Sequence, residues 1–300
     1  MGVFEDLSQH MRAAAIFGLG TSPRALAAFR AGSRAEWTEG VPGSPDGADA
    51  VLLFGGDGTI HRHLPALVRL GRPVLVVPAG SGNDLARSLR LFTLQDSIRA
   101  WRDFEAGAGN VQAIDLGTIT ERQDGAKHYF SCVAGCGLDG AVSRRANRMP
   151  RWLRRHGGYV LALIPTVLRP APVTLRLNVL NGDRSGERSL PLLLAAFANT
   201  PFYGDGMRLA PLAKMDDGKL DLCLIHPLHR LKLLGVFPSV YFGRHVGIDE
   251  FECWRTKKVL LDSATPQDIF ADGEYVCRTP VEIGVAPGAL RVIAPPVPAG

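Results

Sequence analysis

Two stretches of this chain use the same residue types in the same order: "VLLFGGDGTIH" at 51–61 and "VLVVPAGSGNDLAR" at 74–87. Each is an apolar run that stops at a glycine-rich loop carrying an aspartate. Gly55, Gly56 and Gly58 have no Cβ, so the backbone can turn tightly and bring its N–H groups close to an anion. Thr59 adds a hydroxyl at the start of the next helix. Gly80, Ser81 and Gly82 repeat the device, with Asn83 and Asp84 opening the helix that follows. Asp57 and Asp84 would repel a phosphate held there unless a Mg2+ ion with its water stands between them. Together the loops predict a nucleoside triphosphate site with its metal; either loop alone also fits an ordinary βα turn. No G-x-x-x-x-G-K-[ST] run occurs and no GxGxxG follows a strand, so Walker A and Rossmann dinucleotide sites have little support.

Two later turns add acidic residues, "ADGEY" at 271–275 and "KMDDGK" at 214–219. Asp272 sits beside Gly273 between two β-like segments, and Asp-Gly is the usual signal for a type I′ hairpin, the reading these residues alone favour. A hairpin also accounts for "DDGK". His61 and His63 flank Arg62 on a helix and point to different faces, so they cannot easily share a metal. Cys132 and Cys136 read as small buried apolar residues.

The loops need a scaffold that presents them at one edge, and the first third of the chain supplies it. "AAAIFGL" (13–19), "AVLLFGG" (50–56), "PVLVVPAG" (73–80) and "NVQAIDLG" (110–117) read as buried strands. "IHRHLPALVRLG" (60–71) and "DSIRAWRDFEAG" (96–107) read as helices with glycine stops. This is α/β grammar with a mostly parallel sheet, whose ligands bind at the carboxyl ends of the strands. Beyond about 118 the chain turns to short β-rich runs such as "VTLRLNVLNG", "LPLLLAAFANT", "GKLDLCLIHP" and "PVEIGVAPGALRVIA", interrupted by an arginine-rich helical pair near 138–168. The predicted fold is α/β plus all-β: a nucleotide-binding domain over 1–118, then a β-sandwich over 119–300 whose last residues pack back on the first domain. The boundary is placed in a turn at 116–126.

The 300 residues, 46% of them hydrophobic, can fill the cores of two domains. Five cysteines without a CxxC pair argue against a disulfide framework and a structural zinc site, and favour a reducing cytoplasm. The acidic start lacks the apolar core of a secretory signal, and "YVLALIPTVL" (159–168) is about half a membrane span. The net charge of +5 is uneven. Between Asp139 and Asp183 there is no acidic residue, while Arg144, Arg145, Arg148, Arg151, Arg154, Arg155, Arg169 and Arg176 fall inside. With Trp152 and Leu153 interleaved, this segment reads either as a solvated helix face with loops or as a surface for anionic headgroups. No nucleic-acid module accompanies the charge, so nucleic acid is not expected as a partner.

The stretches "GGDGTIH" (55–61), "PAGSGNDLARSL" (78–89), "IDLG" (114–117), "GLDGAV" (137–142), "ANTPFYGDGMRLAPLAKMDDGKLDL" (198–222) and "FADGEYV" (270–276) occur in the order of one family. The chain resembles the bacterial diacylglycerol kinases and YegS-like lipid kinases, related to sphingosine kinases. That resemblance implies an ATP- and Mg2+-dependent transfer of the γ-phosphate to diacylglycerol or a related lipid alcohol, by a cytoplasmic protein peripheral to the membrane, with a homodimer left open. Residue by residue it implies Gly55 to Thr59 around the ATP phosphates, with Ile60 and His61 beside them, and Ser81 on the nucleotide within the Gly80–Asp84 loop. Asp57, Asp84 and Asp115 would organise Mg2+, Asp272 would be the general base, and Glu274 the acid beside it. A structural Mg2+ is implied at the Lys214 carbonyl, the Asp217 carboxylate and the Lys219 carbonyl.

Two departures from that pattern stand out. The first strand leads into "GLGTSPRAL" (18–26) instead of an Asn-Pro loop, with Ser22 as a helix cap and Pro23 at the first position. The Pro/Gly-rich "EGVPGSPDG" (39–47) leaves no room for the helix expected before "AVLLFGG", which clouds the role of Thr38 on the nucleotide. A soluble-substrate kinase resembling NAD kinase, and a nucleotide- or lipid-binding protein without catalysis, are the alternatives.

Overall fold

The structure, a computed structural model, describes residues 11–138 and 171–296. The predicted arginine-rich helical pair, with every arginine named above except Arg176, lies outside the described residues. Arg176 itself is exposed and lies within 3.5 Å of Asp262.

The first half builds a parallel sheet in the order β4-β3-β1-β2 from β1 (Arg12–Phe17), β2 (Glu36–Glu39), β3 (Ala50–Gly55) and β4 (Val74–Pro78). β3 is buried along its whole length because helices cover both faces, which explains a continuous apolar run instead of an alternating one. A 3-10 turn at Pro23–Leu26 leads into α1 (Ala27–Arg30). Pro23 opens that turn as predicted, but Ser22 makes no side-chain cap bond. Between β2 and β3 there is only a 3-10 turn, Pro45–Gly47, where relatives were expected to carry a helix. α2 (Asp57–Leu70) stops at Gly71 in the left-handed conformation, α3 (Asp84–Ser88) is a short helix, and α4 (Leu94–Glu105) starts on a Thr93–Asp96 capping box.

The second half comprises β5 (Val111–Glu121), β6 (Lys127–Phe130), β7 (Val133–Gly137), β8 (Val173–Gly182), β9 (Gly186–Leu192), β10 (Leu194–Ala198), β11 (Leu220–Ile225), α5 (Arg230–Val240), β12 (Phe251–Asp262), β13 (Asp268–Ala271), β14 (Glu274–Arg278) and β15 (Val281–Ile293). Their order is β14-β13-β7-β10-β11-β12-β15, with β8–β9 attached to β12 and β5–β6 to β15. All five residues of β10 are buried. Ala195 and Phe197 face a core enclosed by the β-strands, while Leu194, Ala196 and Ala198 face the core shared with the α/β half. β10 is thus a middle layer, and the two halves are joined through it. They are also joined through β15, which pairs with β12 at its start and with β5 along its length, then places Val292 beside Val74 of β4.

The structure corrects two expectations. The predicted boundary turn at 116–126 is a strand for half its length: β5 runs unbroken to Glu121, and only the residues after it turn. Gly117 in that strand lies under the ring of Phe130, where a Cβ would fall 1.9 Å from the ring. The cysteine count argued against disulfides, yet Cys223 and Cys253 face each other across β11 and β12 and are joined, leaving Cys132, Cys136 and Cys277 as buried thiols. Sheet register brings together two cysteines that no spacing rule pairs. Among the described residues no helix is long and apolar enough to cross a membrane.

Candidate active site

The two glycine loops meet at the carboxyl ends of β3 and β4. A Cβ on Gly80 would stand 2.5 Å from Gly56 Cα, and one on Gly56 2.8 Å from Gly80 Cα, so the backbones touch and only glycine fits at either position. Asn83 holds the second loop in shape. Its side-chain oxygen accepts from Gly80 N at 2.9 Å and its amide donates to the Gly80 carbonyl at 2.8 Å, while its own backbone takes the left-handed conformation at φ 54°. Asn83 is therefore a positioning residue for the loop predicted to hold the nucleotide.

The aspartates staple these parts together. Asp57 accepts from Asp84 N at 3.0 Å and Leu85 N at 3.2 Å, tying the first loop to the start of α3. Asp84 accepts from Gly206 N at 2.9 Å and Asp205 N at 3.2 Å, tying α3 to the 203–207 loop of the β half. Burial raises the Asp57 carboxyl, and the charge of Asp272 adds to this, against the two backbone donors. Burial and then the charge of Asp57 push Asp84 up to about 7, which Arg87 at 3.8 Å only partly offsets. Two carboxylates at the edge of a phosphate-sized cradle, each already accepting from two backbone N–H groups, are oxygen donors of the kind a hard cation takes.

The "ADGEY" turn closes the far side. Asp272 at φ 51° and Gly273 at φ 83° form the two-residue connection of the β13–β14 hairpin, so the hairpin and the site coincide. The Asp272 side chain is 0% exposed. Its Oδ1 accepts from Cys132 N at 2.8 Å and Val133 N at 3.3 Å; its Oδ2 accepts from Ser131 N at 2.9 Å, Ser131 Oγ at 3.2 Å and His61 Nδ1 at 3.2 Å. Burial would lower the His61 pKa, but the hydrogen bond to Asp272 and the charges of Asp272 and Glu274 outweigh it and raise it. Glu274 reaches the start of α2, where a Cβ on Gly58 would come within 2.7 Å of its Oε1. Burial, then the charge of Asp272, keeps Cys132 a thiol.

A cavity of about 330 Å³ lies between the loops, the 203–205 segment and the hairpin turn. Gly56, Asp57, Gly58, Thr59, Gly80, Ser81, Gly82, Asp84, Asp272 and Glu274 all line it. Other predicted residues lie elsewhere. Gly55 ends β3 against the Thr59 side chain, Ile60 is in the core, and Asn83 and His61 support from behind. Thr38 is exposed on edge strand β2 and is not part of the cavity wall.

The predicted metal residues split into two groups. Asp115 is not beside the phosphate loops: its carboxylate accepts from Gly218 N at 2.6 Å and Gly288 N at 2.8 Å, and its N–H donates to the Met215 carbonyl at 2.6 Å. It clasps the 214–219 turn to the bulge of β15. In that turn Asp217 accepts from Lys219 N at 3.0 Å, Lys214 is exposed, and among the described residues no group of three or more His, Cys, Asp or Glu is placed to hold a metal.

Sequence reasoning missed the Ser131–Val133 amides that hold Asp272, because "SCV" carries no chemical signal. It also missed Asn199, fully buried, whose amide donates to the Asp115 and Ser131 carbonyls at 2.9 Å each and so fixes the segment that grips Asp272. The "ANTPFYGDG" run flagged this region without assigning it a role.

Known proteins are similar to this chain in sequence and fold. The family model described as diacylglycerol kinase catalytic domain matches residues 26–119, and that described as YegS C-terminal NAD kinase beta sandwich-like domain matches 132–294. A diacylglycerol kinase of Mycobacterium tuberculosis is 38% identical over 83% of this chain and 78% of its own. A diacylglycerol kinase structure from Bacillus anthracis superposes with TM-score 0.66 at 14% identity, covering 96% of this chain and 98% of that one. An NAD kinase from Archaeoglobus fulgidus in complex with ATP does so with TM-score 0.50 at 15% identity, covering 94% and 93%. At such identities the two structures speak to fold alone. With both family models in chain order, a relative similar over most of its length, and two glycine loops facing an aspartate turn, the chain belongs to the diacylglycerol kinase family of lipid kinases.

Proposed function

We propose that the protein transfers the γ-phosphate of Mg·ATP to a hydroxyl of diacylglycerol or a related lipid alcohol. The observation that carries this reading is the cavity wall, in which two touching glycine loops face the Asp272–Glu274 turn. Backbone N–H groups of the Gly56–Thr59 and Gly80–Gly82 loops, with the Thr59 hydroxyl, would bind and orient the phosphates. Asp57 and Asp84 would hold the magnesium, which when bound neutralises charge on the phosphates. Asp272 takes the proton of the acceptor hydroxyl. Its Oδ1 is held by the Cys132 and Val133 amides; Oδ2 is anchored by the Ser131 amide and also faces two side-chain donors, Ser131 Oγ and His61 Nδ1, that can swing aside for an incoming hydroxyl. Glu274 would position the α2 end of the cradle.

The test is transfer of label from ATP to a panel of lipid alcohols in mixed micelles, beside Asp272→Asn. A labelled lipid that is lost in the variant supports the reading. ATP binding without transfer to any lipid rejects it. Transfer to a soluble acceptor would instead favour a soluble-substrate kinase resembling NAD kinase.

A further inference from the structure

The segment after β11 is built in a way that a solvated surface does not require. α5, "RLKLLGVFPSV", buries Leu233 and packs Leu234 and Phe237 against Leu193, Leu228 and Ile225. A helix with one buried side ordinarily turns charges outward. Here the outward stripe is Leu231, Gly235, Pro238 and Phe242, spaced four, three and four residues apart and all exposed, with Leu231 at 68% and Phe242 at 72%. Val246 continues the stripe at 49%. The 208–212 segment adds to it: Leu212 is 85% exposed, and Pro211 lies against Gly243, whose Cβ would come within 2.8 Å of the proline ring. Arg208 N donates to the Val240 carbonyl at 3.0 Å, and buried His245 holds the Leu209 carbonyl at 3.0 Å through Nε2. The patch is therefore one rigid surface from two segments.

Its charges have one sign. No acidic residue lies between Asp221 and Asp249 or between Asp205 and Asp216. Arg230 and Arg244 are exposed and make no ion pair among the described residues, and Arg208 stacks over Phe202. Lys232 alone is neutralised, by Glu250 at the patch edge. The patch also borders the cavity. Tyr203, Gly204 and Asp205 line the cavity immediately before Arg208. Tyr241, at the end of α5, has its hydroxyl raised by burial and then by the charges of Asp205 and Asp84.

We propose that the exposed face of α5, with Leu212, Phe242, Val246 and the arginines Arg230 and Arg244, is the surface by which this protein docks on an anionic lipid bilayer. Isolated bulky apolar tips can enter the acyl boundary while arginines meet the headgroups. A second copy of the chain docked face to face would set these arginines against their own equivalents. The inference rests on the lipid-acceptor reading for its purpose, since it sets the cavity mouth beside the membrane. Its evidence is separate.

The test is co-sedimentation of the full chain with vesicles of pure phosphatidylcholine and of equal parts phosphatidylcholine and phosphatidylglycerol. Binding to the anionic vesicles, weakened by high salt, is expected. Arg230→Gln with Arg244→Gln should weaken it about 25-fold, at roughly fivefold for each cation near the surface. Leu231→Ser with Phe242→Ser should weaken it on both vesicle types. Both pairs should keep wild-type melting, and the arginine pair wild-type phosphoryl transfer to dioctanoylglycerol in neutral micelles. Anionic-vesicle binding within twofold of wild type in both variants would overturn the proposal, as would no binding by wild type. A dimer that dissociates in the Leu231/Phe242 variant, without any vesicle dependence, would assign the patch to a second copy and overturn it as well. Intact vesicle binding with no transfer to any lipid would leave the docking surface standing and remove the lipid-kinase reading.

Discussion

Replacing Gly80 by alanine tests whether contact between the two loops is what makes the phosphate cradle. The added Cβ would lie 2.5 Å from Gly56 Cα and 3.1 Å from both Gly56 N and the Asn83 side-chain oxygen. Ordinary contact begins at 3.4 Å, so the loops must separate by about 0.9 Å. Those neighbours are backbone and an anchored amide, so no flexible side chain can yield. Overpacking of this kind costs about 1–3 kcal/mol. A displacement of about 1 Å in a positioned site costs about 100-fold in rate. The expected result for Gly80→Ala is a drop of about 100-fold in kcat/KM for ATP with weakened binding of a fluorescent ATP analogue, while the core enclosed by the β-strands keeps its structure. Gly43→Ala is the control, because a Cβ there meets nothing within 4 Å and its backbone is not left-handed. If Gly80→Ala binds nucleotide and turns over within threefold of wild type, the touching loops do not form the cradle.

Asp84 gives a pH prediction. Its folded pKa, near 7, exceeds the unfolded value of about 3.9, so the folded state holds a proton that the unfolded chain releases. The nucleotide-free protein should lose stability as pH rises from about 4 to about 7, by at most about 4 kcal/mol from this group, and Asp84→Asn should flatten the trend in denaturant melts; parallel curves would refute it. His61 has the same sign in a higher pH window. Its raised pKa contributes stability that is fully present below about 6.5 and is lost as pH rises through the folded value, so the melting advantage over His61→Gln should shrink with rising pH. Asn199→Ala removes both amide bonds to the segment gripping Asp272 and should cost about 1–3 kcal/mol, measured by urea melts, together with a fall in kcat. Full stability would sink that assignment.

The parts of the site that were legible in sequence are those written in adjacent residues. "GGDGT" and "GSGND" name their own backbone geometry, and Asp-Gly at 272–273 names its own turn. The α/β-to-β division was legible for the same reason, since helical and strand periodicities are local. What stayed hidden depends on pairing across the chain. Asp115 reads as one more acid near phosphate until its partner Gly288 is seen, 173 residues away. The five donors around Asp272 come from residues 131–133 and 61, brought there by the β7–β13 pairing and by the start of α2. Cys223 and Cys253 are 30 residues apart and meet only through register. β5 crosses the compositional boundary because one strand serves both cores.

The return of β15 to the first half has a consequence for biosynthesis. β4, "VLVVP", is buried and apolar, and until Val292 settles beside Val74 it is the free margin of the parallel sheet. A ribosome releases the chain from its amino end, so β4 (Val74–Pro78) emerges well before its closing strand (Val281–Ile293). Until that strand arrives the margin stays open, a template for pairing with another nascent chain. Chaperone occupancy of β4 during elongation, relieved when residues 281–293 leave the tunnel, is the expected cost of a sheet whose final strand belongs to both halves of the molecule.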